Sequence, residues 1–303
     1  GGSPPSPPPP AAPTKAGDEE GLNFRDLAGA GGACAPGRVF RTANLMAPYV
    51  PEGASGRVFA SRSIGCVLDL RSEDETRTDT PHPYAATYRF RRGAPEPPLA
   101  AGAVGAEARY VVPMLERGPI FEGVIKRATL QEKMSLLFWG LFDGDRQQRV
   151  FIDKMNEGGL LALSEIILDE CKPEVSYALR VVAAHLEKGV PVAFQCRLGK
   201  DRTGIVAALL LLALGAPEER VVEDYVKSHG SDQIALGAVQ REAERSKKKG
   251  PRLDRNVFQG ARAETMQGIL THLRGEYGGV EGYLDAIGLG EDWRARLREA
   301  GSL

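Results

Sequence analysis

The sequence is poor in the residues that build metal centres and disulfide frameworks, with four cysteines and four histidines among 303 residues. Cys34, Cys66, Cys171 and Cys196 form no Cys-x-x-Cys pair, and His82, His185, His229 and His272 are scattered. No zinc ligand set is therefore written in the spacing, and we expect neither a metal nor another cofactor. An excess of one charge is also missing. The 39 Lys and Arg against 40 Asp and Glu leave a formal net charge of −1, which gives no global reason to expect nucleic acid or an acidic bilayer as partner. No apolar run approaches the ~20 residues of a membrane span; the longest covers residues 205–214. Unpatterned cysteines and the lack of a signal-peptide pattern favour a reducing, cytoplasmic setting, although the chain starts with glycine and a leader can precede it.

What is present is ample for a core, since 42% of the residues are hydrophobic. Residues 1–20 are dominated by proline, alanine, glycine and serine, with Pro7 to Pro10 consecutive. Such a composition favours extended polyproline II over packing, so we expect a disordered tail, with an SH3 or WW ligand as its functional alternative. Residues 21–303 contain no internal repeat, and we expect them to form one α/β domain. Residues 38–42 alternate polar and apolar like a strand. Residues 64–71 are apolar almost throughout, as a strand covered on both faces should be, with charge only at the end, at Asp69 and Arg71. Ligands of open α/β sheets bind beyond the carboxyl ends of strands, so Asp69 and Arg71 are candidate site residues. Residues 88–91 are a third strand candidate.

Residues 106–171 lack strand character and read as a helical insertion. Its apolar piece, residues 134–142, is either a lid over a site or ordinary core packing. Pro173 opens a helix with Val175, Leu179, Val182, Ala183 and Leu186 on one side. Pro217 opens another, carrying Val221, Val222 and Tyr225. The charged stretch 241–249 reads as a solvated helix end, and residues 263–303 as two or three helices punctuated by Gly278-Gly279 and Gly288.

The most informative stretch lies between an apolar run, residues 190–194, and the aliphatic run 205–214. It reads Gln195-Cys196-Arg197-Leu198-Gly199-Lys200-Asp201-Arg202-Thr203-Gly204. Strand, tight loop and helix in that order bring backbone N–H groups and the positive end of a helix dipole to one point, which suits an anion. Arg202, separated from Cys196 by five residues, offers a planar fork for two phosphate oxygens. Cys196 has cations and a helix N-terminus at hand, conditions that lower a thiol pKa to roughly 3.5–7.5, so it is the candidate nucleophile. A nucleotide-binding P-loop is excluded, because Gly199-Lys200 is followed by Asp201 and Phe194 stands where the first glycine belongs. A rhodanese-type loop has one residue fewer between cysteine and arginine. Cys34, Cys66 and Cys171 read as small buried hydrophobes.

This loop, taken with Asn23-Phe24-Arg25-Asp26-Leu27-Ala28-Gly29, residues 38–45, Leu68-Asp69-Leu70-Arg71-Ser72, Val221-Val222-Glu223-Asp224-Tyr225 and residues 277–284 in that order, resembles the protein tyrosine phosphatase superfamily. Within it the likeness is to the atypical dual-specificity group that includes mycobacterial protein tyrosine phosphatase B, and it covers most of the chain from Gly21. The resemblance implies a phosphatase-like fold with a four- or five-stranded sheet, no metal, and phosphomonoester hydrolysis through a cysteinyl-phosphate. Substrates would be phosphorylated proteins (phosphotyrosine, phosphoserine or phosphothreonine) or phosphoinositides. Arg197, Leu198, Gly199, Lys200 and Thr203 would bind substrate, Thr203 also bonding the leaving sulfur. The acid would be Asp201 in the loop, with Asp69 second and Asp143, Asp145 or Asp169 behind it; otherwise Asp201 would brace the loop through Arg25 or Arg41. Lys200 and Arg197 are two further cations, and the lysine position is shared with phosphoinositide phosphatases. Gln195 departs from the family, which usually has histidine there and so a donor that can also be charged. That departure leaves room for a different class of function, a phosphate-reading module without turnover.

Overall fold

The computed structural model describes residues 21–29, 33–77, 79–97, 99, 107–230, 237 and 253–302. The expected tail and the charged stretch 241–249 lie outside the described residues. The chain forms a six-stranded sheet with helices on both faces. In chain order the strands are β1 (Arg25–Asp26), β2 (Val39–Thr42), β3 (Cys66–Asp69), β4 (Ala86–Arg89), β5 (Ala108–Val111) and β6 (Val192–Gln195). Their spatial order is β1-β2-β6-β3-β5-β4. All neighbours are parallel except β1, which runs against β2. The α/β class with a mostly parallel sheet is thus as expected. The strand count exceeds the implied four or five because the two-residue β1 and the strand β5 join it.

Alternation along the strands divides the core into two. Phe40, Val67 and Ala193 point to one face, where they pack with Val58 and Phe59 of α1 (Ala54–Ser61). Val39, Cys66, Leu68, Val192 and Phe194 point to the other and larger cluster. That side holds α6 (Lys172–Glu187) and α7 (Asp201–Ala213), and α6 buries all five apolar residues that its spacing marked. Register fixes where the strands end: Thr42 and Asp69 both lie opposite Gln195 on the two flanks of β6, and Val111 lies opposite Asp69. The last residues of four parallel strands therefore form one row, from which the phosphate-type loop departs.

Between β3 and β4 lies α2 (Glu73–Thr76), opened by a capping box in which Ser72 and Glu75 bond each other's backbone N–H. The expectation that residues 106–171 are helical throughout fails at its start. Ala108–Val111 is β5, a strand of four buried residues, too short to show a period beside the Pro, Gly and Ala residues before it. The rest is helical: α3 (Arg117–Arg127), α4 (Leu130–Phe142) and α5 (Gly144–Glu170), the last kinked at Gly159. After α7 come α8 (Glu218–Val226), α9 (Arg255–Phe258), α10 (Ala263–Tyr277), α11 (Val280–Ala286) and α12 (Glu291–Ser302), with Gly278 and Gly288 at positive φ after α10 and α11. No helix among the described residues is long and apolar enough to cross a membrane.

Candidate active site

Cys196 follows β6 directly and is 3% exposed. Residues 196–200 form the loop, and α7 starts at Asp201. An anion cradle needs its carbonyls turned away from the anion, and four successive carbonyls are held that way. The Arg197 carbonyl accepts from the Asn44 N–H at 3.4 Å. Asn23 Nδ2 donates to the carbonyls of Leu198 at 3.1 Å and Gly199 at 2.8 Å. Arg41 Nη2 donates to the Gly199 carbonyl at 2.8 Å, and the Lys200 carbonyl starts the helical ladder at Gly204 N–H, 2.7 Å away. Because a trans peptide is planar, each outward carbonyl turns the next N–H inward. Gly199 makes the turn possible: at φ +65° a Cβ would stand 2.5 Å from the Thr42 carbonyl and 2.6 Å from the Ala43 nitrogen.

The residues gripping the loop are fixed in turn. Arg25 and Arg41 both pair with the buried Asp224 of α8, and both donate to Ser228 Oγ, at 3.0 Å and 3.3 Å. They are the arginines that a bracing role for Asp201 would use. Burial and then Arg41 and Asp224 act on Arg25, leaving its pKa lowered to about 10.

Arg202, in the first turn of α7, is bound bidentately by Glu75: Nη1 to Oε2 at 2.6 Å and Nη2 to Oε1 at 2.7 Å. Its Nη1 also donates to the Leu70 carbonyl at 3.3 Å. Burial opposes the charge of Arg202, but Glu75 outweighs it and raises the arginine's pKa. Glu75 loses ionisation favourability to burial, then regains more from Arg202 and the Ser72 N–H, so its carboxyl is held down at about 2. Sequence reasoning missed Glu75. Its signal was local, since Ser72-Glu73-Asp74-Glu75 is a capping box immediately beyond a strand end.

Asp69 is 0% exposed. It accepts from Arg71 Nε at 2.9 Å and Nη2 at 2.7 Å, from Arg109 Nη2 at 2.6 Å and from Gln195 Nε2 at 3.1 Å. Burial alone would raise its pKa, yet the two guanidinium groups hold it far below the carboxylate range. Arg71 also binds Asp79, at 3.0 Å and 2.6 Å, so Asp69, Arg71, Asp79 and Arg109 form one compensated cluster. Gln195, itself buried, bridges this cluster to the segment that follows β2, because its Oε1 accepts from the Leu45 N–H at 3.3 Å.

Asp201 has the opposite surroundings. Its side chain is 21% exposed as a whole, while Oδ1 is buried without a hydrogen bond. Burial raises its pKa against the pull of Lys200, Arg202 and Arg41. Lys200 is 1% exposed; its Nζ donates to the Phe258 carbonyl of α9 at 2.8 Å and stands 3.8 Å from Asp201 Oδ1. Thr203 Oγ1 is buried with no hydrogen-bond partner. Arg197 and Leu198 are half-buried on the loop. Elsewhere, Asp143 caps α5, Asp145 follows in its first turn, and Asp169 accepts from His272 at 2.9 Å and Tyr277 at 2.6 Å, so the partners of Asp169 lie away from the loop. Cys34, Cys66 and Cys171 are buried free thiols whose pKa burial raises, to about 11 for Cys34 and Cys171.

A cysteine at a strand end, a loop with its carbonyls held outward and an arginine clamped at the helix start thus lie together at one edge of the sheet. The profile of the tyrosine phosphatase family matches residues 18–300, and the chain belongs to that family. It is 31% identical over 183 residues to a tyrosine-protein phosphatase of Nostoc commune, a match covering 56% of this chain and 58% of that protein. It is 33% identical over 131 residues to the triple specificity protein phosphatase PtpB of Mycobacterium tuberculosis, covering 40% of this chain and 47% of that one. The chain thus spans about half the length of these curated relatives.

Proposed function

We propose that the chain hydrolyses phosphomonoesters in two steps, with Cys196 as nucleophile, Arg202 and the loop amides as oxyanion binders, and Asp201 as acid and then base. In the first step the Cys196 sulfur bonds to phosphorus, the ester P–O bond breaks, and Asp201 gives its proton to the departing oxygen. In the second, water bonds to phosphorus, Asp201 takes the water's proton, the S–P bond breaks and inorganic phosphate leaves. Thr203 Oγ1, a buried hydroxyl without another partner, is the donor available to the sulfur as it leaves. The observation that carries this reading is the contrast between the two aspartates. Asp69 is ionised between two arginines and has no proton to give, whereas burial favours a proton on Asp201. We therefore assign the acid to Asp201 and give Asp69 a bracing role.

Phosphotyrosine is the substrate class we favour, with phosphoserine, phosphothreonine and phosphoinositides as competitors. Both relatives are named as protein phosphatases, one of them of triple specificity. Of the two cations that a second lipid phosphate would use, Lys200 is buried with its Nζ bonded to the Phe258 carbonyl, and Arg197 is half-buried on the loop. Turnover of p-nitrophenyl phosphate by wild type, Cys196→Ser and Asp201→Asn tests the mechanism. Cys196→Ser is expected to fall to background and Asp201→Asn by about 10²–10⁴-fold. Absence of turnover by folded wild-type protein would leave a phosphate-reading module. A panel of phosphopeptides and phosphoinositides then ranks the substrates.

A further inference from the structure

Four polar atoms at or near the loop are buried without a hydrogen bond: Asp201 Oδ1, Thr203 Oγ1, Arg41 Nε and the hydroxyl of Tyr225. A buried polar group left in that condition destabilises the fold. Tyr225, from α8, is 2% exposed, and its ring lies against Gly204. A Cβ at Gly204 would meet Cδ2 and Cε2 of the ring at 3.0 Å and Arg41 Nη2 at 3.7 Å. Gly204 follows Asp201 by three residues on α7, and residues three apart share a helix face. The ring is thus laid along the face that Asp201 begins. Burial is the largest influence on the phenol and keeps it protonated; the charged and titratable groups that act on it are Asp201, Arg41 and Cys196.

The guanidinium Nη groups and the lysine around Asp201 already carry other bonds, while Arg41 Nε and Thr203 Oγ1 are, like the phenol, buried without a hydrogen-bond partner. Arg41 is bonded to Asp224 and the Gly199 carbonyl, Arg202 to Glu75, and Lys200 to the Phe258 carbonyl. The phenol hydroxyl has no acceptor and Asp201 Oδ1 no hydrogen-bond donor; the nearest cation, Lys200 Nζ, stands 3.8 Å from that oxygen, beyond hydrogen-bond reach.

We propose that Tyr225 is a positioning residue for the general acid–base, its hydroxyl donating to the Asp201 carboxylate between the two chemical steps. This rests on the assignment of Asp201 above. Over the cycle the proton of Asp201 goes to the leaving oxygen and a proton from water replaces it; Tyr225 keeps its own proton throughout. A hydrogen bond to the ionised form stabilises that form, so the tyrosine holds the base in place for the hydrolytic step.

The test is Tyr225→Phe, which retains the ring against Gly204 and removes only the hydroxyl. With p-nitrophenyl phosphate, kcat is expected to fall about tenfold with KM near wild type. The alkaline limb of kcat/KM should move to higher pH, because the ionised form of Asp201 has lost a donor. The phosphocysteine intermediate should accumulate as a larger burst, since its hydrolysis is slowed. In an Asp201→Asn background the same substitution should have no further effect, as expected when one residue acts through the other. The melting temperature should be unchanged or raised, since an unpaired buried hydroxyl is removed. A folded variant with wild-type kcat and an unmoved alkaline limb would overturn the proposal, as would additive losses in the double variant. Failure of Tyr225→Phe to fold would overturn it too, by showing that the hydroxyl supports the structure itself. Wild-type protein without turnover would instead remove the phosphatase reading, so the two failures are distinguishable.

Discussion

The two most apolar helical runs of the chain meet opposite fates. In α7, eleven of thirteen residues are buried. In α4, Leu136 alone is buried, and Leu130, Met134, Leu137, Phe138, Leu141 and Phe142 are 52–77% exposed. Composition does not separate them; position does. α7 is enclosed by the sheet and by α5, α6, α8, α11 and α12, whereas α4 packs on α5 alone among the substantial contacts of the described residues. The reason is topological. α7 leaves the central strand β6 and must lie against the sheet, while α4 is one arm of a helical excursion. The consequence for the site is mechanical, since a helix packed on all sides holds Asp201, Arg202 and Thr203 to fixed positions. α4 offers no such platform.

Substitutions can break or sharpen this contrast. The largest effect is expected inside α7: Leu209→Ala should destabilise by about 2–5 kcal/mol through a cavity that close neighbours cannot fill, read as a lower denaturation midpoint. Next is the clamp at its N-terminus. Glu75→Gln should lower kcat/KM by roughly 10–100-fold, since a loosened arginine misplaces the phosphate, while the circular dichroism stays native. This substitution also has a pH signature. The Glu75 carboxyl is held at about 2 against an ordinary 4.5, so the folded state binds fewer protons than the unfolded state in that interval. Its stabilising contribution is complete above about pH 4.5 and is lost as pH falls toward 2. Acid unfolding followed by fluorescence should therefore be less steep between those values in Glu75→Gln than in wild type. The smallest effect belongs to α4: Leu137→Ser with Leu141→Ser should change stability by no more than about 0.5 kcal/mol. A loss comparable to that of Leu209→Ala would show that the α4 face is covered in solution.

Much of the site was legible because it is contiguous. Residues 195–204 carry the candidate nucleophile, the turn glycine, the candidate acid and the arginine in ten positions, and the strand before and helix after them are short-range patterns. The helix from Pro173 was equally readable from period alone. The strand β5 was not: four residues give only two alternations, and Arg109, which a surface strand would expose, is here turned onto Asp69. The partners of the loop were also hidden. Arg202 meets Glu75 across 127 residues and Arg41 meets Asp224 across 183, separations at which no local period links one side chain to another. The capping box at Ser72 was the single local hint of the first pair.

By itself, the sequence pointed to the kind of chemistry proposed above. A cysteine, five residues and an arginine between a strand and a helix are the pattern on which the proposed phosphate site rests, with its turn glycine in place, while the loop's carbonyls are held from outside by Asn23, Arg41 and Asn44. The tertiary structure alone set the proton affinities of two aspartates apart, lowering that of Asp69 and raising that of Asp201. Asp69 and Asp201 are the same side chain near the same sheet edge, yet Arg71 and Arg109 surround the first, while the arginines nearest the second are bonded to Asp224 and Glu75. Proton affinity is governed by charges and burial within a few ångströms, and those neighbours are assembled from strands and helices far apart in the chain.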